Sequence, residues 1–148
     1  MKQFFAALLV ASLVSGCMVL PRSTSVSVAF VAGESQPKKG FKEYQVQGSP
    51  QKVYLKRRVS LSNKHIAAAQ VQQGEQGPQI HIVFTDKGRE QFAKLTRDNL
   101  NKPVAVIVDG NVISAPIIRE EIPGGEAVIA GKFTVEEATR IANGIMGR

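Results

Sequence analysis

The chain has 148 residues, a formal net charge of +7 and one cysteine. That length suits one domain with one core. A single cysteine excludes an intrachain disulfide, so the fold must rest on packing alone. The sequence shows none of the aromatic–basic interleaving of single-strand nucleic-acid binders, which argues against a nucleic-acid partner.

The N-terminus places Lys2 before an apolar run from Phe4 to Val14. That run is shorter than the ~18–20 residues of a spanning helix. The positive flank before it and the small residues after it match a cleavable signal. Leu13-Val14-Ser15-Gly16-Cys17 resembles the lipobox of bacterial lipoproteins. The competing reading is a buried N-terminal element with an ordinary core cysteine. The lipobox resemblance implies cleavage before Cys17 and diacylglyceryl and N-acyl groups on its thiol. At roughly 0.8 kcal/mol per buried CH₂, two or three such chains anchor a protein stably to membrane lipid. Met18 stands where an Asp typically retains such proteins at the inner membrane, which favours the outer membrane. The expected organisation is a signal peptide at 1–16, a lipid-anchored tether at 17–25 and a single α+β domain at 26–148 that faces the periplasm.

Charge is unevenly spread. Residues 1–65 carry ten Lys or Arg against Glu34 and Glu43, whereas residues 66–148 carry nine against ten acidic groups. The excess sits in clusters at Lys38, Lys39 and Lys42, and at Lys52, Lys56, Arg57, Arg58 and Lys64. A solvated basic face explains this. So does attraction to anionic lipid headgroups, at about 1 kcal/mol per basic residue near the surface.

Val26, Val28 and Phe30 alternate with Ser27 and Ala29, which predicts a strand. Residues 33–52 are rich in Gly, Pro, Gln, Lys and Ser and read as the least ordered stretch, with a short strand around Tyr44 and Val46. Val53-Tyr54-Leu55 reads as a strand, and Ser62 caps one helical turn through Ile66. Ala69–Gln73 is a strand, Gly77-Pro78 a turn, and Gln79–Phe84 a strand with Ile80, Ile82 and Phe84 facing the core. Thr85 caps a helix whose first turn Asp86 favours, with Phe92, Leu95 and Leu100 as its apolar stripe. Gly88 in that first turn costs up to ~1 kcal/mol against Ala, which close helix–sheet packing would explain.

The unbroken apolar run Val104–Val108 predicts a central strand buried on both faces. Asp109-Gly110 predicts a type I′ hairpin, and its return strand runs from Asn111 to Ile118 with a bulge or edge at Pro116. Gly124-Gly125 turns the chain into a last strand, Ala127–Ala130. Thr134 and Glu137 form a capping box, Phe133 staples onto Ala138, and Ala138, Ile141, Ala142 and Ile145 form the stripe of a second helix. The sum is an α+β domain, a mostly antiparallel sheet with two main helices packed on one face.

The stretches "FTDKGREQFAKLT" (Phe84–Thr96), "KPVAVIVDGNVISAPII" (Lys102–Ile118) and "IPGGEAVIAGKFTVEEATRIAN" (Ile122–Asn143) resemble the first periplasmic region of the SecD family, in its P1 head subdomain. SecD is the accessory membrane subunit of the bacterial protein-export translocon. Weaker similarity starts at Val53, so the resemblance covers Val53–Met146. It implies a SecD-like periplasmic fold and contact with emerging polypeptide. Most matching positions are turn glycines, caps and core residues, which carry over a fold more securely than a function.

No catalytic constellation emerges. His65 and His81 are separated by a turn and a strand, no second cysteine or carboxylate cluster has ligand spacing, and no nucleophile elbow or phosphate loop is present. Ser114 and Asp109 read as strand and turn residues. The expectation is therefore no enzyme, no metal and no cofactor. The chain reads as a non-catalytic envelope lipoprotein that binds polypeptide, or an envelope or translocation partner, through exposed sheet edges. The alternative is a basic module that binds anionic lipid or cell-wall polymer. Lys56, Arg57 and Arg58 are the candidate contact surface, because three consecutive charges cannot all be buried.

Overall fold

A computed structural model describes residues 25–147; Cys17, the signal segment and nearly all of the tether lie outside the described residues. In chain order the elements are β1 (Val28–Glu34), β2 (Lys42–Gln45), β3 (Lys52–Leu55), β4 (Leu61–Ser62), a 3₁₀ turn (Asn63–His65), β5 (Ile66–Gly74) and β6 (Gly77–Phe84). Then come α1 (Asp86–Asp98), β7 (Val104–Val108), β8 (Asn111–Ser114), β9 (Glu126–Ala130) and α2 (Val135–Ile145). All strand pairing among the described residues is antiparallel, as local hairpin signals favour. The architecture is α+β, but the strands form two sheets rather than one: β2-β3-β1-β7-β8, with β4 also on β1, and a separate β5-β6-β9.

The apolar run Val104–Val108 is a central strand with two buried faces. Val104, Val106 and Val108 enter the main core with Val28 and Phe30 of β1. Ala105 packs into a second core with Val31, Val53 and Leu55. Period-2 alternation between two cores is why this strand carries no polar residue. The main core is closed by α1, α2 and the inner face of β5-β6-β9. Its aromatic centre is Phe30, Phe84 and Phe92, with ring centroids 4.7–5.7 Å apart. Both helices therefore lie on the main-core side of the larger sheet.

The β2–β3 hairpin packs over the second core, on the sheet's other side. Gly33 marks the branch, since a side chain there would come within 2.8 Å of Leu55 and 3.0 Å of Val53. At the hairpin's tip Gln47 N–H donates to the Val112 carbonyl at 2.8 Å, and Gln51 Nε2 donates to the Ala115 carbonyl at 3.2 Å. The Gly- and Pro-rich stretch 33–52 is thus an ordered hairpin whose Val46 is buried. Its composition reflects tight turns over a small core, not lack of structure.

Local signals hold where backbone chemistry is strongest. Asp109 and Gly110 have φ of +48° and +83°, as the I′ turn requires. Thr85 accepts from Gly88 N–H, and the Thr134–Glu137 box is complete in both directions. Three details differ from the sequence reading. The tight turn is Glu75-Gln76, with Gly77 and Pro78 already in β6. The return strand is interrupted: β8 ends at Ser114 after a register shift opposite Val106 and Ile107, and antiparallel pairing resumes past Pro116 with Ile117 opposite Pro103. Leu100 lies beyond α1 and is exposed; the buried positions of that helix are Gly88, Phe92, Leu95 and Thr96.

Candidate polypeptide-binding face and the basic bulge

Among the described residues β5 is the longest strand and lies at a sheet edge, bonded only to β6. Its sequence, IAAAQVQQG, has no charge and no proline. Natural edge strands usually carry such devices to block pairing with another chain. Gly74 and Gly77 close a two-residue turn as a hydrogen-bonded pair, so alternate pairs back along the ladder point outward. Ala69, Val71 and Gln73, opposite Ile82, Ile80 and Pro78, therefore turn N–H and C=O away from β6. Pro78, which has no N–H to give, fits the non-bonded register. No loop or helix backbone bond reaches that edge among the described residues.

The same sheet has an open outer face. Register places Gln70, His81 and Val128 abreast, and Gln72, Gln79 and Ala130 abreast beside them. Val128 is 46% exposed. His81 Nε2 lies 3.0 Å from Glu126 Oε2, so this face's acidic group has a partner within it. The face runs into a groove of about 560 Å³ bordered by Pro78, Ile113, Ala115, Pro116, Val128 and the β2–β3 tip, with Lys132 as its only charged lining residue. Glutamine amides and small apolar groups offer hydrogen bonds and contact area without selecting a charge pattern. That chemistry tolerates many sequences.

Lys56, Arg57 and Arg58 occupy a different place. Gly33 faces Leu55 and Phe30 faces Leu61, so three residues of β1 are matched by six of its partner. Three residues are therefore extruded between β3 and β4, and Ser60 N–H donating to the Phe30 carbonyl at 2.9 Å closes the bulge. The sequence reading of three charges forced to the surface is correct in place: Lys56–Val59 are all exposed. A cleft of about 530 Å³ separates the bulge from Lys94, Leu95 and Asp98 of α1. These cations are not part of the β5 face; they stand on the other sheet.

Three polar side chains have roles that escaped the sequence reading. Asn63 mimics a strand: its Nδ2 donates to the Val26 carbonyl and its Oδ1 accepts from Val28 N–H, both at 2.6 Å. Thr96 is fully buried; its Oγ1 accepts from Ile122 N–H at 3.0 Å and donates into its own helix. His65 is buried, and its Nδ1 accepts from Ser62 N–H at 3.0 Å. Burial, and then the charge of Lys64, hold its pKa below the ordinary value. Long sequence separation hides the first two, and no local pattern marks them. Among the described residues no three His, Cys, Asp or Glu side chains gather as a metal site would need, and no helix is long and apolar enough to cross a membrane.

Comparison with known proteins fits this architecture. The family model described as SecDF, P1 head subdomain, matches residues 39–147. The chain is 42% identical over 90 residues to the protein translocase subunit SecD of Calditerrivibrio nitroreducens, covering 60% of this chain and 17% of that protein. It is 44% identical over 84 residues to SecD of Sebaldella termitidis, covering 56% and 21%. A solved structure of SecDF, described as a membrane component that enhances protein export, superposes with a TM-score of 0.68 at 26% identity over 84% of this chain and 64% of that one. The chain thus spans about a fifth of the length of these curated relatives.

Proposed function

The chain belongs to the SecDF P1 head subdomain family, and from that premise we propose that it is a non-catalytic, polypeptide-binding module of the bacterial cell envelope that faces the periplasm. Extended polypeptide adds to the β5 edge and lies across the outer face of β5-β6-β9 toward the groove in which Lys132 is the one charged lining residue. The carrying observation is the nine-residue edge strand with no charge, no proline and outward backbone groups at Ala69, Val71 and Gln73. Backbone pairing supplies affinity without demanding a sequence. The proposal includes the anchor: acylation at Cys17 holds the module at a membrane, where confinement raises the effective concentration of a weak binder near membrane-bound partners.

The test is fluorescence anisotropy with a labelled, permanently unfolded polypeptide (reduced, carboxymethylated lactalbumin). Val71→Pro removes one outward N–H while leaving the β5–β6 bonds in place. Binding should fall at least tenfold in that variant and change little between 50 and 500 mM salt, since backbone pairing is weakly screened. Equal binding by Val71→Pro, or a steep salt dependence, would overturn strand addition.

A further inference from the structure

A second surface of the molecule has chemistry unlike that of the β5 face. The bulge between β3 and β4 presents Lys56, Arg57, Arg58 and Val59 together, and Val59 is 49% exposed. Beside it Phe41 is half-buried, with the ammonium groups of Lys38 and Lys56 each 5.4 Å from its ring centroid. The acidic groups that the geometry places nearby are already engaged. Glu34 accepts from Lys38 at 2.7 Å and Lys102 at 3.0 Å, and those two hydrogen bonds hold its pKa down. Asp98 pairs with Lys94 at 2.5 Å. Lys56, Arg57 and Arg58, together with Lys64 and Lys87 along the adjoining cleft, have no ion-pair partner among the described residues.

We propose that the Lys56–Val59 bulge is a docking surface for an anionic phospholipid bilayer. The guanidinium groups of Arg57 and Arg58 bind headgroup phosphates, where planar bidentate donors are well matched. Val59 enters the headgroup–acyl boundary, and Phe41, flanked by the ammonium groups of Lys38 and Lys56, adds apolar surface with those lysines snorkelling around it. A soluble polyanion satisfies the cations but offers no apolar phase for Val59 and Phe41. Only a bilayer answers both halves of the surface. Extruding three residues from the β1 pairing line lifts this apolar–basic tip clear of the sheet. In this geometry the bulge, not the β5 face, is turned to the membrane. The inference rests on observations separate from those that carry polypeptide binding.

The test uses the mature chain, from residue 17 onward and carrying Cys17→Ser, so that neither the apolar signal segment nor acylation can supply the anchor. It is mixed with vesicles of phosphatidylethanolamine and 30% phosphatidylglycerol, and with phosphatidylcholine alone. Cosedimentation is expected with the anionic vesicles and not the neutral ones. Replacing Lys56, Arg57 and Arg58 together with Gln should weaken it roughly a hundredfold, from the contribution of a basic residue near a charged surface. The chain has no tryptophan, so Val59→Trp reports alone. Its emission should shift to the blue on anionic vesicles and stay unshifted with a polyphosphate chain. Absence of vesicle binding, binding insensitive to the triple substitution, or cosedimentation without the blue shift would overturn the proposal; the last outcome would assign the surface to polyanions. Val71→Pro should bind vesicles as the parent does, which separates this failure from failure of strand addition.

Discussion

Gly88→Ala is the substitution on which propensity and packing disagree in sign. Ala in a helix interior is better than Gly by about 1 kcal/mol, so local reasoning expects stabilisation. The structure places the added Cβ 2.3 Å from the His65 carbonyl oxygen, 3.0 Å from His65 Cβ and 3.1 Å from Phe84 Cβ. The first of these is backbone and cannot rotate away. It also accepts from Thr85 N–H at 2.9 Å, at the residue that caps α1 through Gly88 N–H. Overpacking of this kind costs about 1–3 kcal/mol, and a weakened cap-region hydrogen bond adds roughly 0.5–1 kcal/mol. After the helix gain, a net loss of about 0.5–3 kcal/mol is expected. With a urea slope of about 1–3 kcal/mol per molar, the unfolding midpoint should fall by roughly 1 M. A midpoint that is unchanged or raised, with the slope unaltered, would refute the claim that α1 is seated on the 3₁₀ turn through this glycine.

Other consequences are as direct. Thr96→Val keeps the shape but strands the buried Ile122 N–H, so a loss of about 1–3 kcal/mol is expected in the same melts. Gly110→Val places a β-branched residue at φ +83° and should cost at least ~1–3 kcal/mol, whereas Thr134→Ala should cost ~1 kcal/mol for the cap. His65 is held below its unfolded pKa of about 6.5. Its contribution is therefore fully present above that pH and is lost as pH falls through the lower folded value. His65→Asn keeps an acceptor for Ser62 N–H and should flatten this part of the pH–stability curve; a curve identical to the parent's would exclude His65 as the titrating group.

Much of the fold is written locally. The Thr85 and Thr134 caps, the Asp109-Gly110 turn and the alternation Ile80, Ile82, Phe84 each depend on interactions within a few residues, so sequence alone specifies them. The run Val104–Val108 likewise announces two buried faces, because only a strand between two cores can omit polar residues on both. The exposure of three consecutive charges at Lys56–Arg58 also followed from the chain alone. Tertiary structure decided what these pieces do together. The division into two sheets, and the folding of the β2–β3 hairpin over a second core, depend on pairings between distant segments that no periodicity encodes. The same holds for Asn63 and Thr96, whose backbone partners lie 37 and 26 residues away. The uncharged composition of β5 was present in the sequence, but its meaning was not. A strand without charges is ordinary in the middle of a sheet and open to pairing at an edge. Only the tertiary pairing shows that β5 has one neighbour among the described residues, because edge position is a property of the assembled sheet and not of the strand.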